Sequence, residues 1–558
     1  MKTIYHYTTL LWVLLLSVGL SSCIDQVTST DYASQEALEG NAESQKSLFY
    51  GIPAAMIATS TSNHFMFGYS SIMHIRDVMT GDMAKDQASN YDQYWSWEQN
   101  IYMGRDYNRA SYIWNFYYSL LNSINLAVGS VNEATANSEQ KGILGAALTY
   151  RGLIYTELAQ MYEVKANDIL PEEHGEILNA KGNNIKGLTV PIVTDTATLD
   201  QAQSNPRATR EEIFHFVEND LLKAVDLIPN FTWPDKIFPH LDCTYGVLAR
   251  LYLWHGDYDK AYDYAMKAIE NSTQAIITEA KGLDKKTAFN TANDFMWAGQ
   301  FSKENRAVTS GIINWTSMMS NETVYGYAGG GSVWVMVDAS MYARMSDTDW
   351  RKRWFKAPEG GALDGQTPFI DDEWGYDEMP TYSSVKFRPA GGEMQDNTIA
   401  SSSAFPVMRV EEMYFIAAEA AARSQGVDAG VAILNDFMQA YRDPDYNYTA
   451  SSLDDAVDEI VFQKRVELWG ECLTFDDIKR LNMPVTRGYE GSNFDGTFRF
   501  NTTTFPGWMN LIIPQTEEVN NPAAMDYATP DPSGKYVPWY AGGEEQAEAV
   551  RHRTLKLK

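Results

Sequence analysis

The chain has 558 residues, 44% apolar and 21% charged, so it can bury a large core and is not a disordered polymer. Acidic residues outnumber basic ones 73 to 44, a formal net charge of −29 that repels phosphate backbones and argues against a nucleic-acid partner. Three cysteines exclude a disulfide scaffold and offer no zinc spacing, while 15 Trp and 33 Tyr are more than a core strictly needs.

Residues 1–22 begin with Lys2 and run apolar from Leu10 to Leu20. That run is too short to span a bilayer but fits the hydrophobic part of a secretion signal. Leu20-Ser21-Ser22-Cys23 then resembles a bacterial lipobox, in which Cys23 is lipidated and the chain is cut just before it. Ile24 to Gly40 is polar and reads as a tether. Acyl chains contribute ~0.8 kcal/mol per buried methylene, so several together would hold the protein on a membrane without spanning it. Cys243 and Cys472 lie in helical patterns among large apolar residues and read as buried thiols.

Apolar residues recur at helical spacing in Asp31 to Tyr50, in Ser111 to Val131, and in Gly142 to Tyr162 with a partner from Glu211 to Ile228. The clearest pair has Leu248, Leu251, Tyr252 and His255, a break at Gly256-Asp257, then Tyr258, Ala261, Tyr262, Ala265 and Ala268. Two helices joined by a tight turn, with Ala where they approach, have the form of a tetratricopeptide unit. Another pair runs from Met413 through Ala422 and, after Gln425-Gly426, from Ala429 to Ala440. The expected fold is therefore mostly α, a tetratricopeptide-like helical scaffold. From 281 to 406 the periodicity fades into a loop-rich insertion holding Gly329-Gly330-Gly331 and six tryptophans. Of these, Trp350 and Trp354 suit a helix packing face.

Two regions offer ligand-facing surface. In Asn90-Tyr91-Asp92-Gln93-Tyr94-Trp95-Ser96-Trp97, an extended backbone points Trp95 and Trp97 the same way. Arg76 and Asp82 precede them, so Arg76, Asp82, Tyr94, Trp95 and Trp97 form one expected set. In the insertion Trp297, Trp315, Tyr327 and Trp334 flank the glycine run and form the other; packing of these rings onto helices is the competing reading. No G-x-S-x-G, H-E-x-x-H or phosphate-binding glycine loop is present, and no enzyme is expected. No cofactor or metal is expected either: Asp371-Asp372-Glu373 could take calcium, but a solvated acidic loop explains it.

Three C-terminal strings carry a resemblance. They are Arg409-Val-Glu-Glu-Met-Tyr-Phe-Ile-Ala-Ala-Glu-Ala420, then Lys464-Arg465-Val-Glu467-Leu468-Trp-Gly-Glu471 leading to Phe475-Asp476-Asp477-Ile478, and Leu511-Ile-Ile-Pro514-Gln515. With Gly187-Leu-Thr-Val-Pro191, Arg207-Ala-Thr and the lipobox, in this order, they look like the SusD/RagB family. Cys472 stands where that family usually has Gly, and Thr474 where it usually has Arg. The charges at Glu411, Glu412, Glu419, Arg465, Glu467, Glu471 and Asp477 read as a structural network at helix ends rather than a ligand site.

The resemblance implies a SusD-like arrangement: a helical N-terminal region at 23–280, a variable insertion at 281–406, and a C-terminal region at 407–558 completing the scaffold. It also implies a lipoprotein of the outer membrane, facing the cell exterior. Such a protein captures a nutrient, here a glycan or oligosaccharide, and delivers it to a TonB-dependent, SusC-like β-barrel transporter. A sugar ring stacked on one aromatic side chain would gain ~2 kcal/mol, so two or three rings predict micromolar to millimolar binding. Two alternatives stay open: capture of peptides on the same fold, and a surface glycoside hydrolase with carboxylates ~5–9.5 Å apart.

Overall fold

The computed structural model describes residues 42–60, 63–85 and 104–540. Cys23, Tyr94, Trp95 and Trp97 lie outside the described residues. The first helices are α1 (Ala42–Met56), α2 (Tyr69–Val78), α3 (Asn108–Gly129) and α4 (Ser138–Tyr162). α4 is buried from Gly142 to its end. Its side facing the next helix, α5 (Arg210–Leu227), carries Gly145 against the Ile228 backbone and Gly152 against Leu221, so the two approach more closely than any larger residue would allow. Both helices start with a capping box, Asn137 with Gln140 and Thr209 with Glu212, which satisfies orphan N–H groups at each start.

The expected tetratricopeptide pair is α6 (Leu241–His255) and α7 (Tyr258–Asn271), turned at Gly256 with φ 91°. Only glycine takes that conformation without strain. α7 buries Ala261, Ala265 and Ala268, and it packs against both α6 and α8 (Val410–Ser424). α8 in turn pairs with α9 (Val427–Tyr441) and α10 (Leu453–Glu467), and α11 (Leu473–Arg480) closes on α2 and α4. The fold is thus mostly α, and its helices share a core that runs from Phe49 to Met525.

Between the helical pairs the described residues make two short antiparallel ribbons. β1 (Met83–Lys85) pairs with β3 (Val335–Val337), and β2 (Trp297–Gln300) with β4 (Ala404–Met408). The first ribbon ties the 281–406 stretch to the segment following α2.

A network of buried charges joins the C-terminal helices. Arg409 contacts Glu471 at 2.9 Å and Glu467 at 3.0 Å, while Arg442 and Arg351 both reach Glu467, at 2.6 and 3.1 Å. Lys386 donates to Glu471 at 2.7 Å and to the Glu467 and Trp469 carbonyls. Arg250 clamps Glu412 with bonds of 2.7 and 2.6 Å, linking α6 to α8. Such pairs fix helix ends in one arrangement, because breaking one leaves an uncompensated charge in a dry core.

Candidate ligand-binding site

Most of the expected ligand residues that the structure describes are core residues. Arg76 is buried, paired with Asp476, and stands 3.9 Å from Glu157. Asp82 is buried against Arg465, whose Nε lies 3.0 Å away, and its carbonyl accepts from Trp469 Nε1. Trp297 is fully enclosed in β2, edge-on to Tyr150, and donates to the Ile237 carbonyl. Trp315 packs on Phe387 at 5.2 Å, and Trp334 faces Trp374 at 6.4 Å. Tyr327 is buried, its hydroxyl against His64. As placed, Arg76, Asp82, Trp297, Trp315, Tyr327 and Trp334 offer no open face to a ligand. The insertion rings lost the competition to packing because an indole buries more apolar area than any neighbouring side chain.

What the same elements do build is a cleft of about 450 Å³ at the end of the β1–β3 ribbon. Lys85 and Met336 from the ribbon, Pro380 to Tyr382, and the loop from Ser492 to Arg499 line it. Its floor is a small apolar cluster of Ala84, Trp334, Met336, Phe369, Met379, Val385 and Phe494. Trp334 thus supports the cleft from below rather than lining it.

The walls are held by backbone. The Val337 N–H donates to the Tyr382 carbonyl at 3.0 Å, and the Ser384 N–H to Val335 at 2.9 Å, so the 382–384 segment lies beside β3. Asn493 bridges the other side, donating to the Val337 carbonyl at 2.9 Å and accepting from the Ala339 N–H at 3.0 Å. The Arg499 guanidinium folds over its own loop onto the Phe494 and Ser492 carbonyls, both at 2.9 Å.

Of the two aromatic residues lining this cleft, Phe494 is buried and Tyr382 is the more exposed. Its φ is 74°, a left-handed conformation that disfavours any residue with a Cβ. The backbone is clamped there by its N–H on the Lys356 carbonyl at 2.8 Å, and its ring leans on Tyr342 at 5.2 Å. Burial, together with Asp338, raises the phenol above its ordinary pKa, so the hydroxyl keeps its proton at neutral pH. Sequence reading missed Tyr382, Asn493 and Arg499, since no local motif announces a cleft assembled from three distant segments. The positive φ has no sequence signal in a Thr-Tyr-Ser context.

Tyr94, Trp95 and Trp97 lie outside the described residues, so the expected set around them is not placed. Asp371, Asp372 and Glu373 are exposed; Asp371 caps the Trp374 N–H at 3.1 Å and Asp372 meets Lys285 at 3.4 Å. Among the described residues, no group of His, Cys, Asp or Glu side chains is arranged to hold a metal ion, and no helix is long and apolar enough to cross a membrane.

Two family models match the chain. One, described as starch-binding associating with outer membrane, matches residues 55–253, and one described as the SusD family matches residues 371–536. Among solved structures, the chain is similar to a SusD-like carbohydrate binding protein from Bacteroides vulgatus, with 20% identity and a TM-score of 0.66 over 87% of this chain and 97% of that one. A SusD superfamily protein from Bacteroides thetaiotaomicron gives 19% identity and a TM-score of 0.63 over 88% and 99%. One from Parabacteroides distasonis gives 16% and 0.59 over 86% and 98%. No curated protein sequence matches the chain.

Proposed function

Because this chain belongs to the SusD/RagB family, we propose that it is an outer-membrane lipoprotein, anchored through Cys23, that captures a glycan or oligosaccharide and passes it to a SusC-like TonB-dependent barrel. The observation that carries the glycan reading is the cleft at Lys85. It presents one clamped aromatic ring beside a polar edge of Thr381, Asp495 and Arg499, over an apolar floor. A pyranose has the matching shape, an apolar face of C–H groups and a rim of hydroxyls. Stacking that face on Tyr382 would remove apolar area worth ~2 kcal/mol, and the rim would hydrogen-bond to the polar edge. Binding of this size is weak enough to release cargo to a pore.

Tyr94, Trp95 and Trp97 stay part of the proposal on sequence grounds, as further rings for a longer glycan. No catalytic step is assigned, since capture and hand-over need none.

The proposal is tested by titrating neutral oligosaccharides into the purified protein, its Tyr382→Gly variant and a Trp95→Ala/Trp97→Ala double variant. Each change should weaken binding about tenfold or more, the loss expected from removing ~1.4 kcal/mol or more of stacking. Unchanged affinity in both folded variants would move the glycan site elsewhere.

A further inference from the structure

A second, smaller cavity of about 190 Å³ lies between the Asn167–Leu170 turn, the Gly507 to Asn510 segment, and the Thr529 to Lys535 stretch. It shares no lining residue with the cleft. Its volume exceeds that of the roughly 150 Å³ cavity known to admit a benzene ring, so one six-membered ring fits. Gly507 lets the Ile169 side chain pack directly on its backbone in the cavity wall, because a Cβ there would run into it.

The turn fixes the polar group that matters. Asn167 is 6% exposed, and its Oδ1 accepts from the Ile169 N–H at 3.0 Å and the Leu170 N–H at 2.9 Å. The amide orientation is therefore set, and Nδ2 has no acceptor within the protein. A buried amide N–H without a partner is unfavourable, and a ligand oxygen would relieve it. Thr529 Oγ1 accepts from Arg207 at 3.1 Å, which leaves its own proton to donate. Asn510, by contrast, spends both side-chain atoms on the Lys165 backbone and shapes the wall only.

Ile169, Leu170, Pro530 and Pro532 make the apolar side. Asp531 and Lys535 sit at the exposed mouth with opposite charges, so the cavity favours neither an anion nor a cation. Water screens both of them, and the neutral buried amide decides what binds.

We propose that this cavity is a second sugar site, sized for one pyranose and separate from the cleft at Lys85. It rests on the reading of this protein as a glycan binder. The apolar face of the ring lies on the prolines and Ile169, and a ring hydroxyl oxygen accepts from Asn167 Nδ2. Further hydroxyls reach Thr529, Asp531 and Lys535.

The test is saturation-transfer NMR titration of D-glucose, D-galactose, D-mannose and D-xylose, with L-alanine alongside, into the purified protein and three variants. Asn167→Asp keeps the oxygen that caps the turn and removes the donor; Lys535→Met alters only the exposed mouth. At least one sugar should saturate. In the Tyr382→Gly background, where the cleft is silenced, its affinity should fall about fivefold or more on adding Asn167→Asp, the effect of one hydrogen bond, and fall less on adding Lys535→Met. The proposal is overturned by the absence of saturation of Tyr382→Gly with any of the four sugars, by equal affinity with and without Asn167→Asp in that background, or by a response to alanine alone. The cleft fails by a different readout, oligosaccharide affinity that is equal in wild type and Tyr382→Gly.

Discussion

Tyr382 and Trp297 are both large aromatic residues of the same insertion, yet their surroundings assign them opposite tasks. Tyr382 carries a half-buried ring on a backbone at φ 74°, a conformation that costs about 1–2 kcal/mol with a Cβ present. Replacing it by Gly removes ring and strain together. Stability in urea should then change by less than about 1 kcal/mol while glycan binding weakens about tenfold or more. Trp297 has no exposed surface, and Trp297→Ala should destabilise by about 3–5 kcal/mol with the affinity of the folded fraction unchanged. A urea melt paired with a glycan titration of each variant checks both. Composition correctly marked the stretch as aromatic-rich. It could not say which rings face outward, because Trp297 is buried by Tyr150 and the Ile237 carbonyl, far away in the chain.

At the scale of elements, the helices were legible and the strands were not. The α6–α7 and α8–α9 pairs announce themselves by period, by Ala at the contact, and by Gly256 and Gly426 at the turns. The four strands among the described residues are three to five residues long, and their partners lie more than a hundred residues away, so neither pattern nor proximity reveals them. The charged C-terminal strings proved structural, as their helix-end positions suggested. Even the departure at Cys472 has a backbone meaning: its φ is 67°, a left-handed position of the kind Gly fills freely. Glu467 is the centre of this network, held well below the ordinary carboxylate pKa by Arg442, Arg409 and Arg351 despite its burial. Glu467→Gln should therefore cost about 3–5 kcal/mol near neutral pH. Because the folded state holds this carboxylate ionised, its contribution is complete above the unfolded pKa of about 4.5 and is lost as pH falls below it. Unfolding curves at successively lower pH should show wild type and variant converging in stability; a gap that stays constant or widens would contradict that assignment.

Over the whole molecule, a net charge of −29 sets a long-range preference. The field repels anions, so neutral glycans should bind with affinities that change less than about twofold from about 0.05 to 0.5 M salt. Glycans rich in uronate or sulfate should bind more weakly at the lower salt concentration, and titrations at the two concentrations would show it. Among the described residues, the helical scaffold and its two ribbons frame a cleft at the end of β1. The most direct measurement is titration of a neutral oligosaccharide panel into the purified protein and Tyr382→Gly, with released reducing ends followed in the same wells. Saturable binding that weakens about tenfold or more in the variant, with no product in either, is the predicted result. Product that grows in proportion to protein, or binding confined to peptides, would contradict the account.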